Sequence, residues 1–428
     1  MVTIQIVEAH FGEMRRDGPP PTRISEAQAR AYVSAVQARG EPLNADALDR
    51  AMLLIEDLPG AAVSGNFAPG RGQGETDLVL KYQDEPLLNG DIGFDNAGAR
   101  STGRNRATLN AYLNSPLRIG DQAIATLLYS EGTNYGRIGY TLPVGHDGMR
   151  LGVSASTLSY RIVASEFSAL HLKGDSDTWG VDAHYPLIRA RTRNLYLNAY
   201  YEEKTYDNEA NGATNSHYRV RNVNIGLVGN LFDRLGGGGA NLAGLTVTAG
   251  EVDLGRPDAG ENPALDGQFT KLGYQLSRQQ YLSRAISLYA LLSGQVADSN
   301  LDSSEKFYLG GANGVRAYPS NEGSGSEGMM LNLELRYRAR PDVLLTGFYD
   351  WGQVTQNHDN DVGPPANPNR YELQGAGIAA SWSGPRGLNL RATYARRIGN
   401  NPNPTARGTD QDGSLTRDRF WLLASLPF

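Results

Sequence analysis

Cysteine is absent from the 428 residues, so no disulfide framework, thiol nucleophile or thiolate metal site can be built. The chain also lacks any uninterrupted apolar run of about 18 residues, which excludes a helical membrane protein, and its mean hydropathy is -0.43. A membrane β-barrel is not excluded, because only alternate residues of its strands face lipid and the hydropathy averages out. There is no basic excess: 40 Lys and Arg against 46 Asp and Glu leave a net charge of -6, and no nucleic-acid partner is expected. Histidine is scarce, with six residues at 10, 146, 171, 184, 217 and 358 and no H-E-x-x-H or other paired spacing. His146 in a short turn and His358 in a long loop read as solvated. A G-x-S-x-G elbow is missing as well. The chain therefore does not read as an enzyme: no catalytic residue, no metal and no cofactor are expected. Met1 to Val7 lacks the charged start, apolar core and cleavage site of a signal peptide, and reads instead as the opening of a folded domain.

What is abundant is glycine, 51 residues or about 12% against roughly 7% in average proteins, and tyrosine, 22 residues against 10 Phe and 4 Trp. Many turns and many half-exposed rings follow. Residues 1–84 read as one mixed α+β unit. Thr3–Glu8 is β-branched and alternating and predicts a strand. Ser25 caps a first helix and Asn44 a second, which Leu58-Pro59-Gly60 ends. Strands follow near Ala62–Phe67 and Thr76–Tyr82, giving β-α-α-β-β. Gly70, Gly72 and Gly74 superficially resemble a phosphate loop, but they lie between two strands rather than before a helix, and read as a hairpin connection.

Residues 85–428 show sixteen alternating segments, from Leu88–Asp95 through a thirteenth at Leu344–Val354 to Asp418–Phe428. That is about 21 residues for each strand with its connection, which suits a transmembrane barrel. Short connections, such as Pro143–Met149, Ile188–Arg193, Ala339–Val343 and Gly384–Gly387, alternate with long polar ones at Asp207–Ser216, Asp253–Gly267, Asp298–Ser326, Thr355–Arg370 and Ile398–Arg417. Short turns on one rim and long loops on the other fit a barrel and not a soluble sandwich. An open edge in hydrocarbon would leave backbone groups unpaired, so the sheet is expected to close. The closing aromatic Phe428 is similar to the assembly signal of bacterial outer-membrane proteins.

The longest connection holds Leu309-Gly310-Gly311 and then Val315-Arg316-Ala317-Tyr318. The thirteenth segment holds Phe348-Tyr349-Asp350-Trp351-Gly352. Here the chain resembles the two-partner secretion transporters, the TpsB class that includes FhaC and ShlB, in the superfamily of BamA and TamA. That class carries Val-Arg-Gly-Tyr/Phe at the tip of its sixth loop and Phe/Gly-x-Asp-x-Gly on its thirteenth strand. The resemblance implies that the loop folds into the lumen, that Arg316 pairs with Asp350, and that Phe348 and Gly352 complete the wall motif. Taken singly, Arg316 also fits a solvated loop cation and Asp350 a water-facing wall residue. Ala317 stands where the class has Gly, whose backbone angles Ala resists.

By the same resemblance the first unit is a periplasmic POTRA domain, and the sequence presents one such unit where the class normally has two, preceded by a plug helix and linker. The implied fold is a sixteen-stranded outer-membrane barrel (85–428) behind one POTRA-like domain (1–84). The implied function is export of a TpsA-type exoprotein (adhesin, haemolysin or contact-dependent toxin) to the cell surface without nucleotide. Its expected surroundings are outer-membrane lipid, and a monomer is expected. A barrel-assembly factor and a passive porin are the alternative readings.

Overall fold

The computed structural model describes residues 8–255, 262–414 and 416–428. The first unit packs two helices on a small sheet. Strand β1 (His10–Asp17) is followed by α1 (Glu26–Ser34), α2 (Ala45–Glu56), β2 (Ala61–Pro69) and β3 (Glu75–Asp84), with sheet order β1-β3-β2. The strand expected at Thr3–Glu8 lies, but for Glu8, outside the described residues, and Glu8 itself is not in a strand. Among the described residues the first strand is β1, which runs parallel to β3 with an irregularity between Phe11 and Met14. That irregularity breaks the alternation a sequence reading depends on. Ser25 caps α1 by accepting from Gln28 N, and Asn44 caps α2 by accepting from Ala47 N, each contact worth about 1 kcal/mol. The helices bury Tyr32, Val33, Leu48, Leu54 and Ile55 against Leu78 and Leu80 of the sheet, a core of the size a small domain needs. The glycine-rich segment 70–74 joins β2 to β3 as a hairpin.

The larger unit is a closed antiparallel barrel of sixteen strands. They are β4 (Leu88–Asp95), β5 (Arg106–Asn114), β6 (Gln122–Tyr129), β7 (Thr133–Val144), β8 (Met149–Arg161), β9 (Lys173–Arg189), β10 (Arg193–Ala210), β11 (Ala213–Asp233), β12 (Gly239–Asp253), β13 (Gly267–Tyr281), β14 (Ile286–Ala297), β17 (Glu327–Arg340), β18 (Val343–Thr355), β19 (Arg370–Ser383), β20 (Asn389–Arg397) and β21 (Asp418–Pro427). The connection between β14 and β17 contains the two short strands β15 (Phe307–Tyr308) and β16 (Ser324–Gly325). Closure is made between β21 and β4, from Leu423↔Asp95 to Pro427↔Asp91, and Phe428 exchanges backbone hydrogen bonds with Gly90.

Alternation sets the two faces of the wall. On β11, Val223, Ile225 and Leu227 are exposed while Asn222 is buried; on β17, Leu333, Leu335 and Tyr337 are exposed while Asn332 and Glu334 are buried. An outer apolar band around a polar interior is the reverse of a soluble protein and suits a bilayer. Among the described residues no helix is long and apolar enough to cross a membrane.

One expected loop is not a loop. Strands β10 and β11 continue through Asp207–Ser216 to a two-residue turn at Asn211–Gly212, both at positive φ. The segment is too polar to show a lipid-facing parity, because both faces of a hairpin reaching past the membrane are wet. The histidines differ in detail too: exposed His146 sets its ring edge-on to Tyr32 at 5.5 Å, and exposed His358 contacts Glu327 at 2.7 Å.

The rim of short turns holds the N-terminal unit. Arg189 forms a two-pronged contact with Asp57, Nε and Nη2 each at 2.8 Å, and Arg191 donates to Asp49 Oδ1 from Nη2 at 2.5 Å and from Nε at 3.0 Å. Arg50 donates to Pro186 O at 2.8 Å, and Ser25 N donates to Arg118 O at 3.1 Å. Parallel forks fix direction as well as distance. Arg189→Ala should therefore speed amide exchange around Ala190 and the last turn of α2 by up to about fivefold, the scale of a partly exposed ion pair. Unchanged exchange in a hydrogen-exchange experiment would show that this pair does not hold the two units together.

Candidate functional site

The β14–β17 connection doubles back on itself. Pairing of Phe307 with Gly325 and of Tyr308 with Ser324 closes its neck, and Leu309 N donates to Gly323 O at 3.0 Å. Beyond the neck, Val315 N donates to Leu309 O at 2.7 Å and Tyr318 N to Val315 O at 3.0 Å, so Val315–Tyr318 forms a tight turn. Leu309, Val315, Ala317 and Tyr318 are buried in one cluster with Met330 of β17, Phe348 and Val354 of β18, Tyr371 and Leu373 of β19 and Ala395 of β20. The loop thus carries its own apolar seat on the four wall strands β17–β20.

Arg316 is at the centre, 4% exposed. Its Nε donates to Asp350 Oδ2 at 2.9 Å and its Nη2 to Asp350 Oδ1 at 2.7 Å, while its backbone N donates to Oδ2 at 3.0 Å. Its Nη1 donates to Glu334 Oε1 at 2.7 Å. The guanidinium lies 3.5 Å from the centroid of the Phe348 ring, a cation–π geometry. Asn332 Nδ2 donates to Asp350 Oδ1 at 2.8 Å and to Gly314 O at 3.1 Å, and Trp421 Nε1 of β21 donates to Arg316 O at 2.8 Å. A guanidinium this deep is tolerable only with such partners, and removing one of them costs about 3–5 kcal/mol because the rest stay buried and uncompensated. A cavity of about 400 Å³ adjoins the group, lined by Glu334, Arg391, Thr393 and Trp421 among others.

Period two puts Phe348, Asp350 and Gly352 on one face of β18. Phe348 offers its ring and Asp350 its carboxylate, and Gly352 offers space. A Cβ on Gly352 would stand 2.5 Å from Leu309 Cδ2 and 3.3 Å from Val315 Cγ2. Ala317 is not among the residues at positive φ, so the backbone makes no demand for Gly there. Its methyl faces Gly375 of β19, where an added Cβ would come within 2.5 Å of it. Tyr318 is fully buried, with the Arg397 guanidinium 4.2 Å from its ring centroid.

Four contributors escaped the sequence reading: Asn332, Glu334, Trp421 and Glu322. Asn332 and Glu334 do have a signal, since they alternate with Leu331, Leu333 and Leu335 and so must face inward. Glu322 has none. It is fully buried at the far limb of the loop, where Asn401 Nδ2 and Gln411 N each donate to it at 2.8 Å. Burial lifts its carboxyl above the ordinary range despite those donors, with Asp410 adding to the lift and Arg397 opposing it.

A closed sixteen-stranded barrel with an outer apolar band and a small α+β domain on its short-turn rim is the architecture of an outer-membrane β-barrel protein. The family description "Haemolysin secretion/activation protein ShlB/FhaC/HecB" matches residues 74–382, and the chain belongs to that family. It is an outer-membrane protein whose N-terminal domain stands on the periplasmic side. The heme/hemopexin transporter protein HuxB of Haemophilus influenzae is 25% identical over 431 residues, covering 98% of this chain and 74% of the relative. The outer membrane transporter CdiB of Dickeya dadantii is 26% identical over 387 residues, covering 87% and 66%. Among solved structures, CdiB from Escherichia coli superposes with a TM-score of 0.79 at 18% identity over 99% of this chain and 77% of that one. CdiB from Acinetobacter baumannii gives 0.77 at 17% over 98% and 74%. These two likenesses concern the fold.

Gly352→Val should unseat the loop tip, at a cost of about 1–3 kcal/mol for overpacking, and limited proteolysis of folded barrel should cut near Ala312 faster than in wild type. Because burial raises the Glu322 carboxyl in the folded state, the docked arrangement with residues 401–411 is most stable below the ordinary Glu range and loses stability as pH rises through the raised value, even though the Asn401 and Gln411 donors themselves favour the ionised carboxylate. Amide exchange at Gln411 should therefore grow with pH beyond its intrinsic dependence, and Glu322→Gln should remove the excess. An excess that persists in Glu322→Gln assigns it to another group.

Proposed function

We propose that this chain exports a large TpsA-type exoprotein, an adhesin, haemolysin or contact-dependent toxin, from periplasm to cell surface through its own barrel. The family match supports the transport class, and names such as the Serratia marcescens hemolysin transporter protein ShlB support the cargo class. The observation that carries the mechanism is the buried Arg316 fork on Asp350 and Glu334. In this reading residues 1–84 are the POTRA domain that meets the cargo and 85–428 the pore, working as a monomer in outer-membrane lipid. The sixth loop is folded into the lumen. Val315, Arg316, Ala317 and Tyr318 form its tip, and Phe348, Asp350 and Gly352 form its seat on the wall. No nucleotide is consumed; folding of the emerging chain outside biases its movement outward.

A fixed charge pair suits a gate better than a solvated loop does, because two defined arrangements can differ by the few kcal/mol the pair supplies. Arg316→Ala and Asp350→Ala should each lower secretion of the exoprotein encoded beside this gene about tenfold or more, with folded barrel in the outer membrane at wild-type level. Equal loss of folded barrel makes the pair structural, and unchanged secretion removes it from the mechanism. If the wild-type chain secretes no partner at all, the assembly-factor or porin readings take its place.

A further inference from the structure

The limb leading into the tip carries a second buried charge, of opposite sign, on a different part of the wall. Glu305 is 4% exposed. Lys204 Nζ of β10 meets its Oε1 at 3.0 Å and Lys271 Nζ of β13 meets its Oε2 at 2.8 Å. Asn222 Nδ2 of β11 donates to Oε1 at 2.8 Å. The backbone is held as well: the Glu305 carbonyl accepts from Lys271 Nζ at 2.8 Å and from Gln295 Nε2 of β14 at 3.0 Å. Four residues upstream, Leu301 is 1% exposed and packs with Val220, Val252, Leu254 and Phe269, a cluster separate from the one around the tip. Burial alone would raise the Glu305 carboxyl, but Lys204 and Lys271 outweigh it and hold the group below its ordinary range, so it stays charged.

We infer that Glu305 is a second anchor of the sixth loop, clasped between Lys204 and Lys271, which pins the entry limb to the β10–β14 wall independently of the Arg316 seat on β17–β18. The two anchors share no residue. Arg316 is a cation in an acidic seat and Glu305 an anion in a basic one, so neither can occupy the other's place, and a slipped loop meets like charge on both walls. Loss of the Glu305 charge leaves two part-buried ammonium groups short of their shared counter-ion, Lys204 keeping only Glu202 at 3.7 Å, a penalty that loosens the limb. The loop is therefore held by two locks on adjoining stretches of wall, β10–β14 and β17–β18, and withdrawal of the tip alone still leaves its entry limb fixed. The functional weight of this arrangement rests on the transporter reading; the anchor itself does not.

The absence of cysteine permits a direct test. Leu301→Cys and Val315→Cys are introduced singly into the full-length chain in liposomes, and their labelling by a membrane-impermeant maleimide is timed on barrel shown to be folded by heat-modifiable mobility. Glu305→Gln should raise the labelling rate at position 301 on the order of tenfold and leave 315 within about twofold, as expected for losing a charge-assisted contact. Arg316→Ala should do the converse. Lys271→Met, which removes one arm of the clasp from the wall side, should act like Glu305→Gln and serves if that variant folds poorly. A wild-type rate at 301 in both variants, or an equal rise at both cysteines, overturns the second anchor. Labelling needs no exoprotein, so this failure would leave the transporter reading standing, and failure of secretion would leave the anchor standing.

Discussion

A guanidinium taken out of water must be given back nearly everything it loses, and that requirement organises the interior of this barrel. Arg316 receives both oxygens of Asp350, one of Glu334 and the face of Phe348, from adjacent strands β17 and β18. Such a set cannot be assembled by a mobile loop in passing. It needs a preformed wall, a neck where Phe307–Tyr308 pairs with Ser324–Gly325, and an apolar seat that excludes water around the charges. Breaking any one of these weakens the rest, because each carboxylate is positioned by the group it binds.

The second requirement is that the wall itself be complete. Antiparallel pairing runs round all sixteen strands and returns from β21 to β4, leaving no edge to hydrocarbon. The N-terminal domain meets the rim where connections are short through Asp49, Asp57 and Arg50, which lie on α2 and its C-terminal cap rather than on the sheet edges β1 and β2. The long connections gather at the other rim, where Glu322 of one meets Asn401 and Gln411 of another.

Most of this architecture is legible in the sequence where a bilayer imposes a period of two. The segments from Leu88–Asp95 to Asp418–Pro427 emerge because lipid outside and water inside divide the residues cleanly. Legibility fails where that contrast ends. The β10–β11 hairpin passes beyond the apolar band, so Asn208, Glu209 and Ser216 look like loop. Strand β1, with Arg15-Arg16-Asp17 and its irregularity at Phe11–Met14, has no clean parity either. Of the site, the sequence points to Arg316 and Asp350 through two spaced motifs, and to Glu334 only as an inward-facing charge. Glu305 and Glu322 are beyond reach, because a loop carboxylate takes its meaning from partners a hundred or so residues away.

The contact between Ala317 and Gly375 has a consequence for how such a loop can vary. The tip position and the wall position share one methyl-sized volume, filled here from the loop side. Either side can fill it, but not both, so the two residues behave as a single quantity divided between distant points of the chain. A graft of this loop onto a related barrel succeeds or fails on that sum before any charge is considered.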